Sequence, residues 1–395
     1  MKTLLYFTFL YVPDWLLYFL ISIVAHLKSI YRIVIHFKKA IELYEGYRNG
    51  YPVKMLWIGT EEMKDYIVKM LYESGHQVTK LKGTNLISLQ KTIDRLSVQC
   101  DLIYVERNSL LPSLKGFRRI KQALNTKARL EERNNIKYRR TMRLIAKNDI
   151  EFKDFKISKN IDQLRLFYDQ LYAPHISSRY GETSVESFDS LKTFYAKGVL
   201  LLAYLKGEAI AGAIFLCQGD TLIYCKYGVR DANDNLHRAA GSCYSHMKYA
   251  EDNKFTHYDA FHVKPFFNDG VFRYKRDCGL SVQIDRRIYY FDTDLYLRVI
   301  NYSSGVVDFL SANPFIFVRS GKLVASLLCH SEDSSLVDAI VRQYRECVTG
   351  GIARYEFNIE RELSERERNE IYQRCSVSEE NDQIAFINYN KTCGN

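Results

Sequence analysis

Between a strand-like run ending at Val229 and a helix-like run that begins near Cys243 lies the segment Arg238-Ala239-Ala240-Gly241-Ser242-Cys243. A loop that turns from strand into helix leaves backbone N–H groups unpaired, and with the helix dipole they make a site for an anion such as pyrophosphate. Glycine at 241 permits close backbone approach, and Arg238 offers a guanidinium that binds phosphate through two parallel hydrogen bonds. The same residues also read as a plain helix start whose glycine serves packing. No Ser-His-Asp or Cys-His arrangement has supporting spacing, so a protein nucleophile is not expected. The nine cysteines are scattered, without a C-x-x-C pair or clustered histidines, which argues for reduced thiols in a cytoplasmic protein and against structural zinc.

The elements that must position this segment can be read on either side of it. Residues 161–172 are helix-like, with Leu164, Phe167, Tyr168 and Leu171 on one face. Strands follow at 199–205, 209–217 and 221–229, joined by Lys206-Gly207-Glu208 and Gln218-Gly219-Asp220, the short glycine-containing connections of an antiparallel meander. Ala240, Cys243, Met247 and Ala250 then share one side of a helix. Next come the strand HYDAFHV, a helix opening in PFFNDGVFRYKRDCG, and the strand SVQIDRRIYYFD.

This order of elements, the Arg-x-x-Gly-x-small loop and the later segments HYDAF and YKRDCG resemble the GNAT superfamily of acyltransferases. The aromatic-Asp strand followed by Tyr-Lys-x-x-x-Gly resembles its FemAB-like branch, over about residues 150–295. The resemblance implies an α/β (α+β) fold with a mixed, mainly antiparallel sheet and helices on both faces. It implies an acyl group moved from acyl-CoA, acetyl-CoA first, to an amine or hydroxyl acceptor such as a small molecule or a cell-envelope or polysaccharide precursor, without a metal. Arg238, Gly241 and Ser242 would bind the donor's phosphates. Cys243 departs from the family's Gly or Ala and adds volume where the donor would lie, which leaves aminoacyl-tRNA as an alternative donor. Asp259 is a candidate general base, or a buried carboxylate that bonds neighbouring backbone. His262 is a second candidate base, or a structural strand-end histidine; histidine is the side-chain type suited to moving protons near neutral pH. Tyr274 and Lys275 would hold the acceptor or the charge of the tetrahedral intermediate, unless they are an ordinary helix-surface pair. The segment from Tyr172 to Phe188 would line the acceptor pocket or be a solvated loop, which makes His175, Arg179 and Tyr180 acceptor-binding candidates. A catalytically silent GNAT-like module that binds a partner is the alternative from another class.

With 395 residues, two or three units are expected, and 47% hydrophobic residues exclude a disordered chain. The reading divides the chain into an apolar N-terminal helical segment (1–48), a small α/β region with a basic tail (49–140), the GNAT/FemAB-like domain (141–300) and a C-terminal α/β region (301–395). The boundary at 48 rests on the turn residues Asn49-Gly50 and Pro52. The run 3–27 carries one charge, Asp14, and a basic flank, which suits a helix lying on or anchored in the inner membrane, or one packed on the protein itself. The turn after Gly59 lacks G-x-G-x-x-G, so no dinucleotide site is expected there. A net charge of +10 suggests an anionic partner, and the basic run from Lys115 to Lys147 reads as a solvated helical surface or a tRNA track. No internal repeat is evident.

Overall fold

A computed structural model describes residues 38–59, 63–73, 75–85, 88–109, 111–130, 136–285, 293–330, 335–379 and 383–392. The apolar run 3–27 and its expected membrane contact lie outside the described residues. Among the described residues no helix is long and apolar enough to cross a membrane. The chain forms two compact units, one of Asn125–His262 with Tyr274–Ser281, the other of the described residues up to Leu124 with Val263–Arg273 and Val282–Asn395.

The first unit carries all or part of β1 (Leu124–Arg129), α1 (Ile136–Lys147), β2 (Glu151–Lys156), α2 (Ile161–Phe167), α3 (Ala173–Tyr180), α4 (Phe188–Phe194), β3 (Val199–Leu205), β4 (Glu208–Gln218), β5 (Thr221–Val229), α5 (Asn235–Ala240), α6 (Cys243–Asp252), β6 (His257–Val263), α7 (Gly270–Asp277, here from Tyr274) and β7 (Ser281–Gln283, here at Ser281). Its sheet runs β7-β1-β6-β5-β4-β3-β2. The expected meander is present: β3 pairs antiparallel with β4, and β4 with β5. Lys206 and Gly207, both at positive φ, make the tight turn between β3 and β4 that matches the twist of a hairpin. Period-two alternation sorts β3 between two layers. Leu200 and Leu202 pack with Leu164, Phe167, Leu171 and Leu191 of α2, the turn after it, and α4. Leu201 lies with Cys243 and Met247 of α6, and Ala203 with Ile145 of α1 and Ala240 of α5. Helices therefore cover both faces, as the resemblance implies.

Three local expectations change. The helix begun at Ile161 does not end in a loop at Tyr172: a π turn, Tyr168–Tyr172, leads directly into α3. Pro174 follows directly on the π turn, which already departs from the i→i−4 pattern that its missing N–H would break. The segment 238–243 is not a single strand-to-helix loop. Asp234 caps a short helix early by accepting hydrogen bonds from the N–H groups of Leu236 and His237, so Arg238 to Ala240 are helical and only Gly241-Ser242 interrupts. The final strand is formed at Ser281–Gln283, and 286–292 lie outside the described residues.

The second unit holds a ten-stranded sheet among the described residues, in the order Ile384–Asn388, Arg354–Ile359, Lys322–Cys329, Phe315–Arg319, Arg118–Lys121, Thr293–Val299, Leu102–Asn108, Tyr51–Gly59, Lys38–Arg48, Gln77–Asn85. The regions read separately as 49–140 and 301–395 thus contribute to one sheet. Strands Tyr51–Gly59 and Leu102–Asn108 are parallel, as the α/β reading expects. The helical pattern expected up to residue 48 gives way to a strand at Lys38–Arg48, and Asn49-Gly50, at φ 47° and 78°, is a hairpin turn rather than a boundary. The basic run from Lys115 likewise starts as strand: Arg118 hydrogen-bonds Ser326 and Asn358, and Arg119 pairs with Asp294.

A succession of elements recurs without a legible sequence repeat. In the first unit the hairpin β4–β5 leads to α6, to β6 parallel with β5, and to α7. In the second the hairpin Phe315–Arg319 and Lys322–Cys329 leads to a helix, Leu336–Cys347, a parallel strand, Arg354–Ile359, and a helix, Glu365–Cys375.

Candidate functional site

Strands β5 and β6 pair at three positions, Thr221 with His257, Leu222 with Tyr258 and Ile223 with Asp259, and the pairing then stops. A bulge at Cys225 shifts the register of β5 against β4 between Tyr224 and Lys226, which twists β5 away at that point. Tyr224, Cys225, Lys226 and Tyr227 are half-buried, as residues along a cleft are, while β3 and β4 beside them are mostly buried. Peptide groups along the unpaired stretch of β5 offer hydrogen bonds to an extended, amide-bearing ligand in the way a sheet edge accepts another strand.

Helix α6 begins beside this split. Its N-cap is Ser242, whose Oγ accepts a hydrogen bond from the Ser245 N–H and donates to the Ala239 carbonyl at 2.7 Å. The Cys243 N–H donates to the Tyr274 hydroxyl at 2.9 Å, so α7 closes the first turn of α6. Tyr258 Oη donates to Cys243 Sγ at 3.8 Å and lies 3.2 Å from His246 Nδ1. The His246 ring stacks on Tyr224, 5.4 Å between centroids. Cys243, Tyr258, His246, Tyr224 and Tyr274 therefore form one hydroxyl- and thiol-bearing cluster at the start of α6.

The electrostatics of this cluster differ group by group. A hydrogen bond from the Cys278 thiol, outweighing burial and helped by the Lys275 charge and the Tyr258 and Tyr274 hydroxyls, brings Cys243 down to about 7. The Cys278 thiol is pushed up in turn by that hydrogen bond. Burial raises the Tyr224 and Tyr258 phenols well above the ordinary range; Tyr274 is 44% exposed as a residue, but its hydroxyl end lies against the Cys243 N–H and is raised too, so all three keep their protons at neutral pH. Burial holds His246 down to about 3.

Asp259 and Lys275 act first on the backbone of β6. Phe261 has φ 64°, a left-handed conformation that costs a bulky residue of order 1–2 kcal/mol. Asp259 Oδ1 accepts the Phe261 N–H at 2.8 Å, and Oδ2 accepts from Asn125 Nδ2 at 2.8 Å. Thr126 Oγ1 donates to the Phe261 carbonyl at 2.6 Å. Buried Lys275 donates to the carbonyls of Ala260, Phe261 (3.4 Å) and His262 (2.9 Å), three acceptors for the three protons of an ammonium. These contacts fix the irregular end of β6. The half-buried His262 ring lies tilted by 43° against Phe261, 4.3 Å between ring centroids.

The other expected residues fall into two groups. His175 is buried, its ring edge-on to Tyr227 with 4.8 Å between centroids, and neither ring nitrogen has a partner among the described residues; burial and the neighbouring Arg179 charge lower it to about 4. Arg179 Nη1 donates to Tyr227 Oη at 3.5 Å, and its guanidinium lies 5.6 Å from the exposed Tyr180 ring. These three thus approach β5 at Tyr227. Arg238 is exposed and hydrogen-bonds Asn235. Gly241 has an ordinary φ, and a Cβ there would stand 2.8 Å from Val229 Cγ1, so the glycine seats α5 against β5. Tyr224, Tyr227, Tyr258, His246 and Asn125 escaped the sequence reading. The interrupted apolar alternation in Leu222–Tyr227 was the one available signal, and it does not report where β5 and β6 part. Among the described residues no group of three or more His, Cys, Asp or Glu is placed to hold a metal ion.

No protein-family model matches the chain, and no curated protein matches its sequence. Solved structures align with it at low similarity. The C-terminal domain of a lysylphosphatidylglycerol synthetase from Agrobacterium fabrum shares 9% identity at a TM-score of 0.33, over 72% of this chain and 91% of that one. FemX shares 11% at 0.35, over 67% and 85%. A GCN5-related N-acetyltransferase from Sphaerobacter thermophilus shares 11% at 0.30, over 62% and 72%.

Proposed function

We propose that the chain is a GNAT-like acyltransferase of the FemAB-like kind, which moves an acyl group from acyl-CoA to an amine or hydroxyl acceptor such as a cell-envelope precursor. The observation that carries the reading is the split between β5 and β6 beside the start of α6, with half-buried Tyr224 and Tyr227 along β5 and the Tyr274 hydroxyl at the Cys243 N–H. A thioester on an amide-bearing arm fits the unpaired edge of β5. The phosphates fit less directly, because the Cys243 N–H is already bonded to Tyr274; Arg238, on the exposed side of α5, remains for them.

The acceptor nitrogen or oxygen attacks the thioester carbonyl, the new bond to carbon forms, and the carbon–sulfur bond breaks. Tyr274, protonated at neutral pH, gives its proton to the departing thiolate and regains one from the acceptor nitrogen or oxygen, so that a free thiol and the new amide or ester are formed with no net change in protons. Asp259 and Lys275 serve by fixing β6, and rate comes mainly from placing the two reactants. Thermal unfolding with acetyl-CoA and a longer acyl-CoA tests the reading: a concentration-dependent rise in Tm, lost in Arg238→Glu, is expected. No shift at saturating concentrations of either thioester overturns it.

A second reading, aminoacyl-tRNA as donor, is favoured by one observation. On α1, Arg139, Arg140, Arg143 and Lys147 are exposed, and the first, third and fourth recur every four residues as a stripe. Binding of tRNA that weakens steeply with salt and is lost in Arg139→Gln/Arg143→Gln would support it; salt-insensitive binding would remove it.

A further inference from the structure

The second unit gathers charge in a place that the proposed transfer does not use. Strands Leu102–Asn108, Thr293–Val299 and Arg118–Lys121 lie side by side, and their register sets Arg107, Asp294 and Lys121 directly opposite one another in one row. The next row on the same face is Val105, Tyr296 and Arg119. Asp294 is fully buried and is shared by two cations: Arg119 Nε donates to its Oδ2 at 2.5 Å, and Lys121 Nζ stands 2.8 Å from its Oδ1, an ion pair that does not meet the angles of a hydrogen bond. One carboxylate is thus already balanced by either partner alone, and the second leaves an excess positive charge.

Arg107 adds another. It is half-buried, among the described residues no carboxylate or carbonyl hydrogen-bonds or ion-pairs with it, and its Nε is shut off from water without a hydrogen bond. Tyr296 is fully buried, and its hydroxyl, with Ser113 nearby, makes no hydrogen bond of normal length and angle. Three cations around one carboxylate, with the Arg107 Nε, the Tyr296 hydroxyl and the Asp294 Oδ1 all lacking hydrogen bonds, are costly as they stand, because like charges repel across a sheet and unpaired buried polar groups lose their hydration. The Arg119 and Lys121 side chains keep 26% and 21% of their surface exposed, so the cluster opens to solvent. An oxyanion with several acceptor oxygens answers both deficits, and a guanidinium beside an ammonium is the usual pairing for phosphate.

We propose that Arg107, Arg119 and Lys121, with the Tyr296 hydroxyl, form a binding site for a phosphate-type oxyanion in the second unit. Asp294 is a positioning residue that orients Arg119 and Lys121 and keeps them from collapsing onto the ligand's place. The proposal is independent of the acyl-transfer reading, since its residues belong to another sheet.

The test uses the full chain at constant ionic strength held with KCl, with inorganic pyrophosphate as the soluble probe and phosphatidylglycerol vesicles as the lipid one. Pyrophosphate binding followed by calorimetry and by the rise in Tm is expected to saturate. In Arg107→Gln the affinity should fall at least tenfold, while Arg366→Gln, an exposed change on the helix Glu365–Cys375, should leave it unchanged. Because Arg107 holds no partner among the described residues, its removal should not unfold the chain, and the ligand-free Tm checks this. Arg107-dependent binding of pyrophosphate identifies a soluble phosphate ligand; Arg107-dependent sedimentation with vesicles and none of pyrophosphate identifies a lipid headgroup. Binding equal to that in matched KCl, or equally strong in Arg107→Gln, overturns the site.

Discussion

The Tyr274 hydroxyl accepts the backbone N–H of Cys243 at 2.9 Å, which ties the first turn of α6 to α7 beside the split strands. The hydroxyl remains protonated at neutral pH and so has a proton to give. Tyr274→Phe removes one hydrogen bond to a helix N-terminus, and urea unfolding should show a loss of about 1 kcal/mol. If the hydroxyl delivers the proton to the leaving thiolate, turnover with acyl-CoA should fall about 100-fold while donor-induced stabilisation persists. Unchanged turnover would leave Tyr274 with the cap alone.

Asp259 holds the Phe261 N–H with one oxygen and Asn125 with the other. In Asp259→Asn two charge-assisted hydrogen bonds become neutral and Asn125 must turn its amide over to keep the second contact, so a loss of about 1 kcal/mol is expected. Pairing it with Asn125→Asp restores donor and acceptor in reversed order. A clasp recovers most of the stability and activity in the double variant. Recovery of stability without activity would assign Asp259 the chemical role of a base.

Much of the first unit was legible because its elements obey local rules. The meander follows from period-two runs separated by Lys206-Gly207 and Gln218-Gly219, and α6 from its apolar face. The site was less legible. Gly241 suggests a phosphate loop, yet Asp234 starts a helix seven residues earlier and Val229 needs the glycine for contact. The conformation of Phe261 depends on Thr126, Asn125 and Lys275, which are distant in sequence and carry no shared pattern. The second unit was misdivided because its sheet joins strands as far apart as Arg118–Lys121 and Phe315–Arg319, a pairing that no local periodicity reports.

Two glycines of the first unit should respond differently to alanine. A Cβ at Gly228 would sit on the Leu171 carbonyl and the Tyr172 N–H, backbone that α3 and the π turn hold in place. At Gly241 it would meet the Val229 side chain at 2.8 Å and Ala211 Cβ at 3.4 Å, and a side chain can yield. Gly241→Ala should cost about 1–2 kcal/mol and Gly228→Ala about 3 kcal/mol or more, in chemical unfolding. If Gly241→Ala abolishes acyl-CoA binding while stability drops by only that amount, the glycine also serves the ligand.

Acid should destabilise the first unit through His246, which is 2% exposed and enclosed by Tyr224, Phe215 and Tyr258. Its folded-state value is about 3, against 6.5 in an unfolded chain. The unfolded chain therefore takes up the proton first, and the stability from keeping this ring neutral is complete above pH 6.5 and lost as pH falls toward 3. The slope is about 1.4 kcal/mol per pH unit, so about 2 kcal/mol should be gone by pH 5. His175, lowered to about 4 by burial and Arg179, adds in the same direction. Urea midpoints between pH 7.5 and 4.5 should show the decline in the wild type and a shallower one in His246→Phe, which keeps an aromatic ring between Tyr224 and Phe215. Parallel slopes in the two proteins would mean that His246 titrates normally and that its enclosure opens to water.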